Sequence, residues 1–131
     1  MRTDSLYRYA DLANIALHYA DLPECKAFSM QNGNRCVVAL HRKTTAAEER
    51  VFLAHELGHC ETLSFYDLEA PLTVREKCER KADRWAIAHL VPKRDYLAAL
   101  RAGYTELWRL ADYFEVTPEF MEKAVEYYRT A

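Results

Sequence analysis

Two histidines four residues apart, His55 and His59, bracket Glu56, Leu57 and Gly58, and this pentad restricts the fold of the 131-residue chain more than any other feature. Residues at i and i+4 can grip one ion together only on a helix, where one turn brings both imidazoles to the same face. The pattern therefore demands a helix here. It also demands a second element, because catalytic zinc takes three protein ligands and keeps one position open. Glu56 adjoins the histidines on that face. In H-E-x-x-H sites this glutamate is not a ligand; it takes a proton from the attacking water and returns it to the leaving amine. The ion acidifies water and polarises a carbonyl, which no side chain of this sequence does unaided at neutral pH. With five histidines in the chain, the pattern has little opportunity to arise by accident.

The flanking sequence supports a helix through the pentad. Thr44 or Thr45 can cap it, Glu48 stands three residues after Thr45 to complete a capping box, and the helical pattern continues through Val51, Phe52 and His55 to about Cys60. A polar connection over residues 61–73, containing Pro71, leads to another predicted helix over 74–90. That helix stops at Val91-Pro92, since the residue before proline disfavours helical geometry. On it, Glu79 is the candidate third ligand. Asp83, one turn on, is the candidate to hydrogen-bond the far N–H of a ligand histidine. Glu76 is an alternative ligand, but the phase of Ala82, Ala86 and Leu90 favours Glu79. Ala82, Ala86 and Gly58 are small enough for the two helices to approach closely.

Other candidates carry less. Cys60 and Cys78 lie one position from His59 and Glu79, rotated about 100° from the ligand faces, and read as small buried apolar residues. His18, His41 and His89 read as packing or surface histidines. Tyr66, between the metal helices, is a candidate donor to a developing oxyanion, although nothing in the sequence positions it.

The remaining pattern predicts an α+β protein, mostly helical. Residues 5–20 repeat apolar side chains at helical spacing and are expected to form one amphipathic helix. Two short apolar runs, 25–30 and 35–40, flank Gln31-Asn32-Gly33-Asn34, and Asn-Gly favours a tight hairpin. A two-residue Asn32-Gly33 loop of type I′ would place Ser29 opposite Cys36 and Phe28 opposite Val37, leaving one strand edge free. Three shorter helices are expected over 93–102, 105–114 and 118–128. The length suits one domain over residues 1–131. A net charge of −2 gives no general attraction to nucleic acid or anionic membrane. No apolar run approaches a membrane span, and the first ten residues lack a signal-peptide core. Four cysteines without a C-x-x-C pair suggest reduced thiols and a cytoplasmic location.

The pentad is followed twenty residues later by Glu79-Arg80-Lys81-Ala82-Asp83-Arg84-Trp85-Ala86, then by His89-Leu90-Val91-Pro92. On these motifs the sequence resembles the ImmA/IrrE family of metallopeptidases, most specifically from about Val51 to Pro92, with the hairpin and the later helices following in family order. The resemblance implies a zincin-like body with a small β-sheet and a C-terminal helical buttress. It implies His55, His59 and Glu79 as zinc ligands, Glu56 as general base and Asp83 as the group orienting a ligand. It also implies a sheet edge that holds an extended peptide, with the 25–40 ribbon as the obvious edge. The resemblance further implies a zinc-dependent endopeptidase: many members accompany phages or mobile elements and cleave or inactivate a cognate helix-turn-helix repressor, relieving repression, which makes another protein's exposed loop or linker the expected substrate.

Two other readings compete with proteolysis. Residues 104–128 have a helix-turn-helix-like pattern, but Glu119, Glu122, Lys123 and Glu126 give the last helix an acidic balance that phosphate repels, so direct DNA binding is not expected. The basic run Arg75, Lys77, Arg80, Lys81 and Arg84 reads as a solvated helix face. The other reading is a zinc-containing interaction module that displaces a repressor by binding, without cutting it.

Overall fold

The computed structural model describes residues 2–130, and the chain is a mostly helical α+β protein. In order it forms α1 (Thr3–Leu12), β1 (Ala16–Ala20), β2 (Ala27–Asn32), β3 (Arg35–His41), α2 (Ala46–Thr62), α3 (Leu72–Leu90), α4 (Lys93–Arg101), α5 (Leu107–Phe114) and α6 (Pro118–Thr130).

The first segment differs from expectation: α1 stops at Leu12, and residues 16–20, predicted to continue the helix, are strand β1. The stop is made by Asn14, whose φ of 58° is left-handed. Asparagine tolerates that region better than most residues. Asn14 N–H bonds the Asp11 carbonyl and Ile15 N–H the Ala10 carbonyl, satisfying the last carbonyls of the helix in a Schellman arrangement. Beyond the turn, β1 runs parallel to β3, so the sheet order is β1-β3-β2 and β2 is an edge strand.

The hairpin forms, shifted by two residues in register. Asn32 pairs with Arg35, the loop is Gly33-Asn34, Ser29 faces Val38 and Phe28 faces Ala39. Positive φ occurs at Gly33 and not at Asn34, so the turn has the II′ pattern, which asks for glycine at the first central position only. A shift of two keeps every side chain on its face. Val38 and Leu40 thus point into the core, at 0% and 1% exposure.

Helix α2 lies between the sheet and α3 and is buried nearly all round, through Val51, Leu53, Ala54, Leu57, Gly58 and Cys60. Its start is the capping box that the sequence suggests: Thr45 Oγ accepts from Glu48 N–H and the Glu48 carboxylate from Thr45 N–H. Arg50, also buried, is satisfied by the Phe114 carbonyl at 3.3 Å and Thr3 Oγ at 3.4 Å, tying α2 to the end of α5 and the start of α1. Against α3, a Cβ built on Gly58 would lie 2.6 Å from the Ala82 carbonyl oxygen, so only glycine permits this approach.

The cysteines depart from expectation. Cys36 and Cys60 form a disulfide, with Cα atoms 5.9 Å apart, while Cys25 and Cys78 are free. Cys36 shares the inward face of β3 with Val38 and Leu40, directed at α2, where Cys60 is buried as predicted. Neighbourhood in the fold, across a sequence separation of 24, makes the pair.

Candidate metal centre

Close packing of α2 on α3 brings three donors together. His55, His59 and Glu79 offer ligand atoms that all lie within 4.8 Å of one another. His55 Nε2 is 2.7 Å from Glu79 Oε2, and His59 Nε2 is 3.3 Å from Glu79 Oε1. Each imidazole is fixed from behind. His55 Nδ1 meets Asp83 Oδ1 at 2.9 Å, and His59 Nδ1 meets the Ser64 carbonyl at 2.8 Å. With both Nδ1 atoms engaged, both Nε2 atoms converge on Glu79, a donor set that could hold a metal ion. Glu76, the alternative ligand in sequence, is exposed and stands outside this group among the described residues.

The charges are strongly coupled. Burial opposes protonation of His55, but its bonds to Asp83 and Glu79 outweigh burial and raise the imidazole to about 9. The same bonds from His55 and His59, joined by one from Tyr66, hold the Glu79 carboxyl well below the usual range. Tyr66 Oη donates to Glu79 Oε1 at 2.6 Å, and that bond raises the phenol to about 12, which keeps it a neutral donor. The position that the sequence left open for Tyr66 is therefore beside the carboxylate of Glu79, the candidate third ligand.

Glu56 is 8% exposed and faces the same space. Burial raises its carboxyl, and a hydrogen bond from Ser29 Oγ at 2.7 Å works in the opposite direction. Ser29 stands on β2, so the edge strand borders the candidate metal centre directly.

Sequence reasoning missed Ser29 and Ser64. Ser29 becomes visible only through the hairpin register, which turns it inward opposite Val38. Ser64 depends on how α2 ends: Leu63 takes a left-handed φ of 51° and Ser64 N–H bonds the His59 carbonyl, returning the chain to the imidazole it has just passed. The other histidines lie elsewhere: His18 is exposed, His41 Nδ1 accepts from Lys43 N–H, and His89 stacks on Trp85 with ring centroids 3.8 Å apart. Cys78 donates weakly to the Phe65 carbonyl.

The C-terminal helices back this centre. Tyr128 Oη donates to the Val91 carbonyl, and Lys123 Nζ reaches Asp83 Oδ2 at 3.5 Å. No helix among the described residues is long and apolar enough to cross a membrane.

No curated protein and no solved structure matches the chain. A sequence profile described as the IrrE N-terminal-like domain, of a peptidase family, matches residues 7–126. That span contains the whole histidine–glutamate cluster and nearly all of the fold around it, so the chain belongs to the IrrE N-terminal-like peptidase family.

Proposed function

We propose that the chain is a zinc-dependent endopeptidase that cleaves a cognate helix-turn-helix repressor, or another regulatory protein, and so relieves repression. The convergence of His55, His59 and Glu79 beside the buried Glu56 carries the reading. His55 and His59 would hold the ion through Nε2 and Glu79 through a carboxylate oxygen; bound there, zinc would acidify an attacking water and polarise the scissile carbonyl. Manganese and iron accept the same donors, so metal analysis of the purified protein decides among them.

The chain's own groups divide the remaining work. Glu56 accepts the proton of the attacking water as the C–O bond forms, then passes it to the leaving nitrogen as the C–N bond breaks. Ser29 holds one oxygen of that carboxylate in place. Asp83 and the Ser64 carbonyl fix the tautomers that leave both Nε2 atoms free to ligate. Tyr66 orients Glu79. An extended substrate segment can lie along the free edge of β2. A repressor target implies the cytoplasm, where the Cys36–Cys60 bond meets a reducing pool.

Glu56→Gln tests the chemistry. It should keep zinc and lose cleavage of the repressor; derepression that survives this variant in cells would instead show inactivation by binding alone. Glu79→Ala should lower bound zinc, and unchanged stoichiometry would remove Glu79 from the ligand set.

A further inference from the structure

Two cavities meet at the metal centre and share Ala27, Glu56 and Glu79. One, of about 280 Å³, opens on the His59 side against Phe28, Phe65 and Leu68. The other, of about 440 Å³, opens on the His55 side against Val51, Phe52 and Phe120. Glu56 borders both, so a bond attacked over Glu56 lies at their junction. Phe28 is 41% exposed and Leu68 88%, large apolar side chains left in water at the edge of a reactive centre. Clustered apolar exposure of this kind marks a contact surface. Charge does not select here. Lys26 and Lys123 line the second cavity together with Glu119 and Asp83, so its wall carries both signs, and Asp83 Oδ2 lies 3.5 Å from Lys123 Nζ.

The strand direction assigns the two cavities. From Lys26 to Ser29 the chain passes from the second cavity to the first. A peptide pairing antiparallel with this edge runs the opposite way, reaching Phe28 and Leu68 first and Phe52 afterwards. Successive side chains of an extended chain point to opposite sides, so the two residues joined by the scissile bond address different cavities.

Resting on the peptidase reading, we propose that the cleft takes a large apolar side chain on each side of the scissile bond. The residue N-terminal to the bond packs on Phe28, Phe65 and Leu68, and the residue C-terminal to it on Phe52 and Phe120. Such residues are mostly inside folded proteins. The target is therefore a segment laid open by local unfolding or loss of a partner, not a hydrophilic linker.

The test uses a fluorescein-labelled decapeptide with a central Phe-Leu flanked by serine, glycine and lysine, and two versions in which Phe or Leu is serine. Binding is read by anisotropy on Glu56→Gln, and cleavage by mass spectrometry on the zinc-loaded protein. Each serine should weaken binding and lower kcat/KM by roughly tenfold or more. Leu68→Ser should erase the preference on the N-terminal side only, and Phe52→Ala on the C-terminal side only. Each preference is a ratio within one sample, so partial unfolding of a variant does not imitate the result. Equal binding and cutting of the three peptides overturns the inference and leaves the peptidase reading standing. Preferential binding with no cutting upholds the cleft preference and sinks hydrolysis.

Discussion

His55 and His59 sit one helical turn apart, yet their Nδ1 atoms are held from different levels of structure. His55 is held by Asp83, a side chain on α3 that depends on the α2–α3 contact. His59 is held by the Ser64 carbonyl, a main-chain group delivered by the left-handed end of α2 itself. One grip is tertiary and electrostatic; the other is local and almost independent of side-chain identity. The difference predicts which substitutions the centre tolerates.

The largest effect should come from Gly58→Ala. Its new Cβ would meet the Ala82 carbonyl oxygen at 2.6 Å, and backbone at that contact can yield only if the helices part. We expect a loss of about 3 kcal/mol in urea unfolding, with zinc affinity falling because Asp83 withdraws from His55 while Ser64 stays with His59. Unchanged stability would show that the helices are not in close contact at this point.

Next is Asp83→Ala, expected to weaken zinc binding by roughly 10- to 100-fold in competition with a chelator. The pH dependence sharpens this. The partners of His55 raise it from near 6.5 to about 9, so binding zinc through His55 near pH 7 would have to displace a proton. Apparent zinc affinity should therefore rise roughly tenfold per pH unit from 7 towards 9, then flatten. Without Asp83 the plateau should begin at lower pH. In the metal-free protein the sign reverses: the stability linked to this raised imidazole is complete below about 6.5 and is lost as pH climbs through about 9.

Smaller effects probe the His59 grip. Leu63 is 71% exposed and pays the strain of a left-handed φ for no burial. Leu63→Gly should raise stability by about 1 kcal/mol, read as a higher Tm, with zinc affinity unchanged. Ser64→Ala should be smallest, well under the roughly tenfold loss expected when an orienting partner is removed, since the carbonyl remains. A Ser64→Ala variant as damaging as Asp83→Ala would overturn the distinction and make the Ser64 hydroxyl, 3.2 Å from His59 Nδ1, the operative group.

Legibility in sequence follows the same division. The capping box at Thr45 and the stop before Pro92 are read from a few adjacent residues, and the structure has both. Strand β1 was hidden because the alanines of residues 10–20 continue a helical rhythm; the turn at Asn14 interrupts it, and pairing with β3 then supplies what the isolated segment cannot. The hairpin was visible but its loop was displaced by one residue, since Asn32-Gly33 and Gly33-Asn34 both satisfy the local chemistry and only packing of the strand against α2 chooses between them.

What the sequence determined by itself is periodic and local. The spacing of His55 with His59, and of Glu79 with Asp83, puts each pair on one face of its helix, because a helix fixes that relation whatever surrounds it. The tertiary structure decided which faces meet. Bringing Ser29 to Glu56, Tyr66 to Glu79 and Cys36 to Cys60 closes gaps of many residues. Those meetings are set by the register of a strand, the exit of a helix and the removal of one Cβ at Gly58, and the energy that selects them is burial of the shared core, a property of the whole chain.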